Sequence, residues 1–125
     1  MRLLADSHVL VWWLDDPLRL AEPARTTLAD PDNVVFLSAA SIWELTLKMA
    51  KGKLRIPEGF IDALLEDGFG ELAVSVAHVR RSAELPPLHQ DPFDRLLVAQ
   101  SLVEGLLLVT RDEAIAQYAV PTLPA

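Results

Sequence analysis

Apolar residues fall along this chain in two kinds of run, short unbroken ones and longer ones broken at helical spacing. Arg2-Leu3-Leu4-Ala5 is a short run that stops at Asp6-Ser7, and His8 to Leu14 is apolar almost throughout, with Trp12 and Trp13. Short runs bounded by polar residues mark strands and longer ones helices, so the pattern predicts a strand ending at Asp6 and then a helix. Asp15-Asp16-Pro17 breaks that helix, and Leu20 to Ala29 reads as an amphipathic helix stopped by Asp30-Pro31-Asp32-Asn33. Val34-Val35-Phe36-Leu37 has the β-branched and aromatic make-up of a strand buried on both faces.

A second strand-to-helix junction follows. Ser41 and Glu44 have the spacing of a capping box, Ile42, Leu45 and Met49 share one helical face, and Gly52 marks the stop. Pro57 is placed to open a helix over about Glu58 to Glu66, closed by Asp67-Gly68. Glu71 to Val76 reads as a third strand and Ala77 to Leu85 as a polar helix, cut by Pro86-Pro87. Asp91-Pro92-Phe93-Asp94 then opens an apolar helix from Pro92 to Glu104, with Asp91 as N-cap, Pro92 at the first position and Asp94 at the third. Gly105 ends it, and Leu106-Leu107-Leu108-Val109 is another buried-strand run ending in Thr110-Arg111-Asp112. A last helix is expected over Glu113 to Tyr118 and an edge strand over Val120 to Leu123, where Pro121 is tolerated.

Strands alternating with helices predict an α/β fold, a largely parallel sheet with helices on both faces. The chain has 125 residues, no internal repeat and no linker, which implies one domain over residues 1–125, able to bury about two-thirds of its unfolded surface. It is 51% hydrophobic and contains no run as long as a membrane span. The absence of cysteine excludes disulfides, thiolate metal sites and cysteine nucleophiles. Asp6, so soon after Met1-Arg2, leaves no apolar core for a signal peptide, and a cytoplasmic location is expected.

The net charge of −7 opposes nonspecific attraction to nucleic acid. It leaves room for a metal-dependent nuclease, in which clustered carboxylates hold divalent cations that in turn attract phosphate. Placement of the acids therefore matters more than their number. In open α/β sheets the functional crevice lies outside the carboxyl ends of the strands. Asp6 follows the first strand, Glu44 comes about two turns after the second, Asp112 follows the strand from Leu106, and Asp94 starts the helix leading into that strand. Each acid has a plainer reading as a helix cap or turn residue. Capping does not account for acids recurring at strand ends, and like charges in one crevice persist only around a cation. Oxygen donors without cysteine select Mg2+ or Mn2+, which suit phosphodiester hydrolysis. Ser7, Ser38 and Thr110 stand at the same strand ends, where they either orient an acid or water or cap helices.

Asp6-Ser7-His8, Ser38-x-x-Ser41-x-Trp43-Glu44, His89-x-Asp91-Pro92-Phe93-Asp94-Arg95-x-Leu97-x-Ala99-Gln100 and Thr110-Arg111-Asp112 together resemble the PIN-domain ribonucleases, in particular the VapC-like toxins of type II toxin–antitoxin systems. The resemblance runs in order through nearly the whole chain. It implies a three-layer α/β/α sandwich, RNA cleavage with Mg2+ or Mn2+, a homodimer, and a small antitoxin that covers the acidic site. Asp6, Glu44, Asp94 and Asp112 match the metal-binding acids; the first three are expected to hold the principal ion and Asp112 a second ion or the attacking water. Ser7 stands where threonine is commoner. Asp91 is read first as the N-cap and second as an acid supporting the site.

Other side chains are candidates for RNA. Lys48, four residues after Glu44, is spaced to pair with it, and with Lys51, Lys53 and Arg55 it forms the densest basic stretch. His89 could contact phosphate or Asp91, although a loop histidine is more often structural; Arg95 and Arg111 flank the acids and could hold a phosphate, with simple salt bridging read first. Trp12, Trp13 and Trp43 read as core or interface anchors rather than base-stacking platforms. Two competing readings are a receiver-like signalling domain with an acidic metal pocket and a non-catalytic interaction domain. The first wants a late lysine, and none follows Lys53; the second does not explain four retained acids.

Overall fold

In the structure, a computed structural model describing all 125 residues, strand β1 (Arg2–Ala5) lies at the centre of a five-stranded sheet. β2 (Val34–Ser38) and then β3 (Gly70–Leu72) lie on one side of it, and β4 (Leu107–Thr110) and then β5 (Thr122–Pro124) on the other. Every neighbouring pair is parallel, so each strand returns through a crossover, and all carboxyl ends share one edge. Ala5 pairs with Leu37 and Val109, which fixes the three central strand ends level with one another.

Alternation along β1 splits the core into two layers, because neighbouring strand residues point to opposite faces. Leu3 and Ala5 pack with Val35, Leu37 and Val109 against α1 (Ser7–Asp15), α2 (Glu22–Ala29), α3 (Ala39–Ala50) and α4 (Phe60–Glu66). Leu4 and Leu108 face the other way, onto Leu97, Val98 and Ala99 of α6 (Pro92–Glu104), Leu85 after α5 (Val76–Glu84), and Ile115 of α7 (Glu113–Ala116). The result is the expected α/β/α sandwich, with a sheet that is wholly parallel.

Boundaries move where packing outweighs local spacing. The capping box at Ser41 and Glu44 does not form: α3 starts at Ala39, and Ser38, the last residue of β2, caps it by accepting from the Ala40 N–H. Ser41 is instead a buried position inside the helix, and Glu44 is released from capping. Pro57 does not open α4, which starts at Phe60 after Gly59 in a left-handed conformation (φ 78°). The third strand is only three residues long and begins at Gly70, where a side chain would meet the Phe36 ring at 3.1 Å. α6 keeps its expected limits: Asp91 accepts from the N–H groups of Phe93 and Asp94, and Gly105 closes the helix at φ 66°.

Candidate active site

Four helix starts meet the carboxyl edge of the sheet. Helices that link parallel strands run back against them, so the N-termini of α1, α3, α6 and α7 gather where β1, β2 and β4 end. Their partial positive charges favour acids at this edge. Asp6 caps α1 through Oδ1, which accepts from the Val9 N–H at 3.0 Å, while Oδ2 accepts from the Thr110 hydroxyl at the end of β4. Thr110 Oγ1 also accepts from the Asp112 N–H, so one hydroxyl ties the acid after β1 to the acid after β4. Asp112 caps α7 by accepting from Ala114.

Glu44 reaches the same edge from the second turn of α3. It is 5% exposed; Oε1 accepts from the Ser7 hydroxyl at 2.7 Å, and Oε2 pairs with Lys48 at 3.1 Å. Asp94, in the first turn of α6, completes the group, and His89 Nε2 lies 2.8 Å from its Oδ2 and 3.6 Å from Asp112 Oδ2. His89, Asp94 and Asp112 offer ligand atoms that all lie within 4.8 Å of one another.

The electrostatics carry the mark of crowded acids. Burial pushes the Asp94 carboxyl up to about 7, the charge of Asp91 adds to this, and Glu44 and Asp112 act in the same direction against the His89 hydrogen bond. Asp6 is raised too, by burial first and by Asp112 in smaller part, although Thr110 and Val9 work to hold it down. The donors are hard carboxylate oxygens with one imidazole nitrogen, and two of the acids are pushed above the usual carboxylate range, which nearby positive charge would counter. That set fits a divalent cation such as Mg2+ or Mn2+.

The structure brings Asp6, Glu44, Asp94, Asp112, Ser7, Thr110 and His89 to this edge, with Asp91 at the adjoining cap. It directs other candidates elsewhere. Ser38 donates to Gln100 Oε1 at 2.6 Å, so it braces the α3–α6 contact and orients no acid. Arg95 is corrected from an RNA contact to an internal clamp: its guanidinium donates to the carbonyls of Ser82, Leu85, Pro86 and His89 and to the Tyr118 hydroxyl. Arg111 is corrected likewise, since it lies 4.3 Å from the Trp12 ring centroid and donates to the carbonyls of Arg19 and Ala125. His89 faces Asp94 and Asp112 rather than Asp91.

Lys48 stands between two clefts. One of about 440 Å³ is lined by Ser7, His8, Trp12, Arg19, Lys53 and Arg55 among others, and one of about 300 Å³ by Glu44, Lys51, Lys53, Asp91 and Phe93. Trp43, 61% exposed, meets Phe93 edge to face at the rim of the second. Tyr118, whose hydroxyl accepts from the His89 N–H, escaped sequence reasoning, and Gln100, quoted in the motif without a role, links Ser38 to the Ala73 carbonyl. Tyr118 belongs to no local pattern.

Known proteins carry the same arrangement of chain. Ribonuclease VapC22 of Mycobacterium tuberculosis is 26% identical over 122 residues, covering 95% of this chain and 93% of that protein. The structure of VapBC2 from Rickettsia felis, bound to a DNA fragment from its promoter, superposes with a TM-score of 0.78 at 16% identity over 99% of this chain and 98% of that one. VapBC-1 from nontypeable Haemophilus influenzae gives 0.67 at 16% identity with the same coverage. The family model described as PIN domain matches residues 3–121. With that match running from β1 to the residue before β5, the chain belongs to the PIN domain family.

Proposed function

We propose that residues 1–125 form one nuclease domain, a metal-dependent endoribonuclease that acts as the toxin of a type II toxin–antitoxin pair. The observation that carries this reading is the meeting of Asp6, Glu44, Asp94 and Asp112, drawn from four separate segments, at one sheet edge. Such an arrangement is costly unless a cation joins it. Similarity to Ribonuclease VapC22 supports RNA as the substrate. Asp6, Glu44 and Asp94 would hold the principal ion and Asp112 a second ion or the attacking water. When bound, Mg2+ or Mn2+ supplies Lewis-acid neutralisation of the scissile phosphate and activates water.

The chain's own side chains do the rest. Thr110 and Val9 fix the Asp6 carboxylate, and Ser7 fixes Glu44, so two donors are oriented before substrate arrives. Lys51, Lys53 and Arg55 line the clefts on either side of Lys48 and would take the flanking phosphates. Water oxygen bonds to phosphorus as the bond to the 3′ oxygen breaks; that oxygen takes the proton, leaving a 3′-hydroxyl and a 5′-phosphate.

Exposed apolar side chains, Leu18, Trp43, Val76 and Val79, would supply surface for an antitoxin and a second copy, and the VapBC neighbours support the antitoxin. No helix is long and apolar enough to cross a membrane, and we place the protein in the cytoplasm with its substrate. The test is cleavage of defined RNAs by wild type and Asp6→Asn with Mn2+, Mg2+ or a chelator. Metal-dependent cleavage that Asp6→Asn abolishes is expected, since asparagine keeps the cap but ligates such ions poorly. Full activity in the variant, or in chelator, sinks the assignment.

A further inference from the structure

We infer that His89 is a nitrogen ligand of this metal centre and tilts it toward Mn2+ over Mg2+; the inference rests on the metal-dependent reading above. His89 Nε2 lies 2.8 Å from Asp94 and 3.6 Å from Asp112, and all three groups offer ligand atoms within 4.8 Å of one another. Donors about 2.1 Å from one ion sit no more than about 4.2 Å apart, so closing the set needs roughly half an ångström of side-chain movement. The ring faces the two carboxylates, and its side chain is 24% exposed.

The second line of argument is how the ring is carried. His89 sits in a loop, yet its backbone is held on both sides. Its N–H donates to the Tyr118 hydroxyl at 2.9 Å, and its carbonyl accepts from that hydroxyl at 3.3 Å and from Arg95 at 3.4 Å. Arg95 also grips the carbonyls of Ser82, Leu85 and Pro86, which anchors the loop to the end of α5. Pro86, Pro87 and Pro92 restrict the chain before and after it. A ring positioned in advance by neighbours that touch no acid of the site has the support that a metal ligand requires.

The chemical consequence is ion choice. Mg2+ prefers oxygen donors and keeps its waters, whereas transition ions accept imidazole nitrogen readily. Asp94 and Asp112 alone would treat the two ions more alike than the same two carboxylates with His89.

Mn2+ is paramagnetic, so pulsed electron paramagnetic resonance of the Mn2+-loaded full chain reads a bound nitrogen directly. The wild type is expected to show 14N modulation that His89→Gln removes. Calorimetry of the same proteins should show Mn2+ affinity falling about tenfold or more in His89→Gln, with Mg2+ affinity moving by less than about threefold. Circular dichroism checks that the variant is folded; the wild-type spectrum needs no variant. Modulation absent from the Mn2+-loaded wild type, or persisting in His89→Gln, overturns the assignment. If Mn2+ binding depends on Asp94 but shows no nitrogen, only the role of His89 fails. If the wild type binds neither ion, the metal-centre reading fails and His89 with it.

Discussion

Two hydroxyls decide how the buried acids are held. Thr110 donates to Asp6 and accepts from Asp112, so a single side chain sets the spacing of two acids from different strands. Thr110→Val keeps the shape and removes both bonds. It should cost about 1–3 kcal/mol in urea unfolding, the range for a buried acceptor left short of a donor, and lower RNA cleavage with it. Asp94 gives a sharper sign. An aspartate of the unfolded chain titrates near 3.8 and the folded Asp94 near 7, so between those values the native state holds a proton that the unfolded state has lost. The stability contributed by protonated Asp94 is thus present at low pH and declines as pH rises through that window. In chelator, Asp94→Asn should gain stability relative to wild type from pH 5 to pH 8, read by urea midpoints. Mn2+ should reverse that order at pH 8, because only the carboxylate binds it. A stability difference that is flat with pH would show that Asp94 is not strained by its neighbours.

At the scale of elements, the clamp around Arg95 joins α5, the proline-rich loop and α6. Its guanidinium donates to four carbonyls and to the Tyr118 hydroxyl at once, and lysine cannot reproduce a planar fork. Arg95→Lys should cost about 2–4 kcal/mol of unfolding free energy, measured by urea titration, since several charge-assisted hydrogen bonds are lost together. A cost below about 0.5 kcal/mol, the range of an ordinary surface change, would contradict the clamp. This element also shows what a sequence discloses. The limits of α6 were legible because Asp91, Pro92 and Gly105 act on their own backbone. The β1, β2 and β4 runs were legible because burial on both faces leaves unbroken apolar stretches. The start of α3 was misread, because the Ser41–Glu44 spacing fits a local motif while Ser38 is placed at the helix start by the end of β2. The inward turn of Arg111 and the part of Tyr118 depend on segments far apart in sequence, and that of Arg95 on how the loop after α5 folds back over it. Nothing in the residues themselves distinguished a guanidinium spent on carbonyls from one offered to phosphate.

For the whole molecule, the parallel topology is what makes a site out of scattered acids. It puts three strand ends and four helix starts on one edge, so residues 6, 44, 94 and 112 meet without any being near another in sequence. The net charge of −7 then sits partly where a cation would be welcome, and the basic stretch from Lys48 to Arg55 lies along the adjoining clefts. Neutralising Lys51 and Lys53 together should weaken RNA binding and flatten its salt dependence while leaving the fold intact, as filter binding across a salt series would show. An unchanged salt slope would move the RNA path elsewhere.

On the proposed function, two neighbouring acids at the start of α6 have different work: Asp91 caps the helix and Asp94 would serve the chemistry. Single-turnover cleavage of one defined RNA in Mn2+, comparing wild type, Asp94→Asn and Asp91→Asn, separates the two roles. Asparagine caps a helix about as well as aspartate, so Asp91→Asn should stay within roughly threefold of wild type, whereas Asp94→Asn should fall by about 100-fold or more. Equal losses in the two variants, or an Asp94→Asn that cleaves at the wild-type rate, would contradict the account.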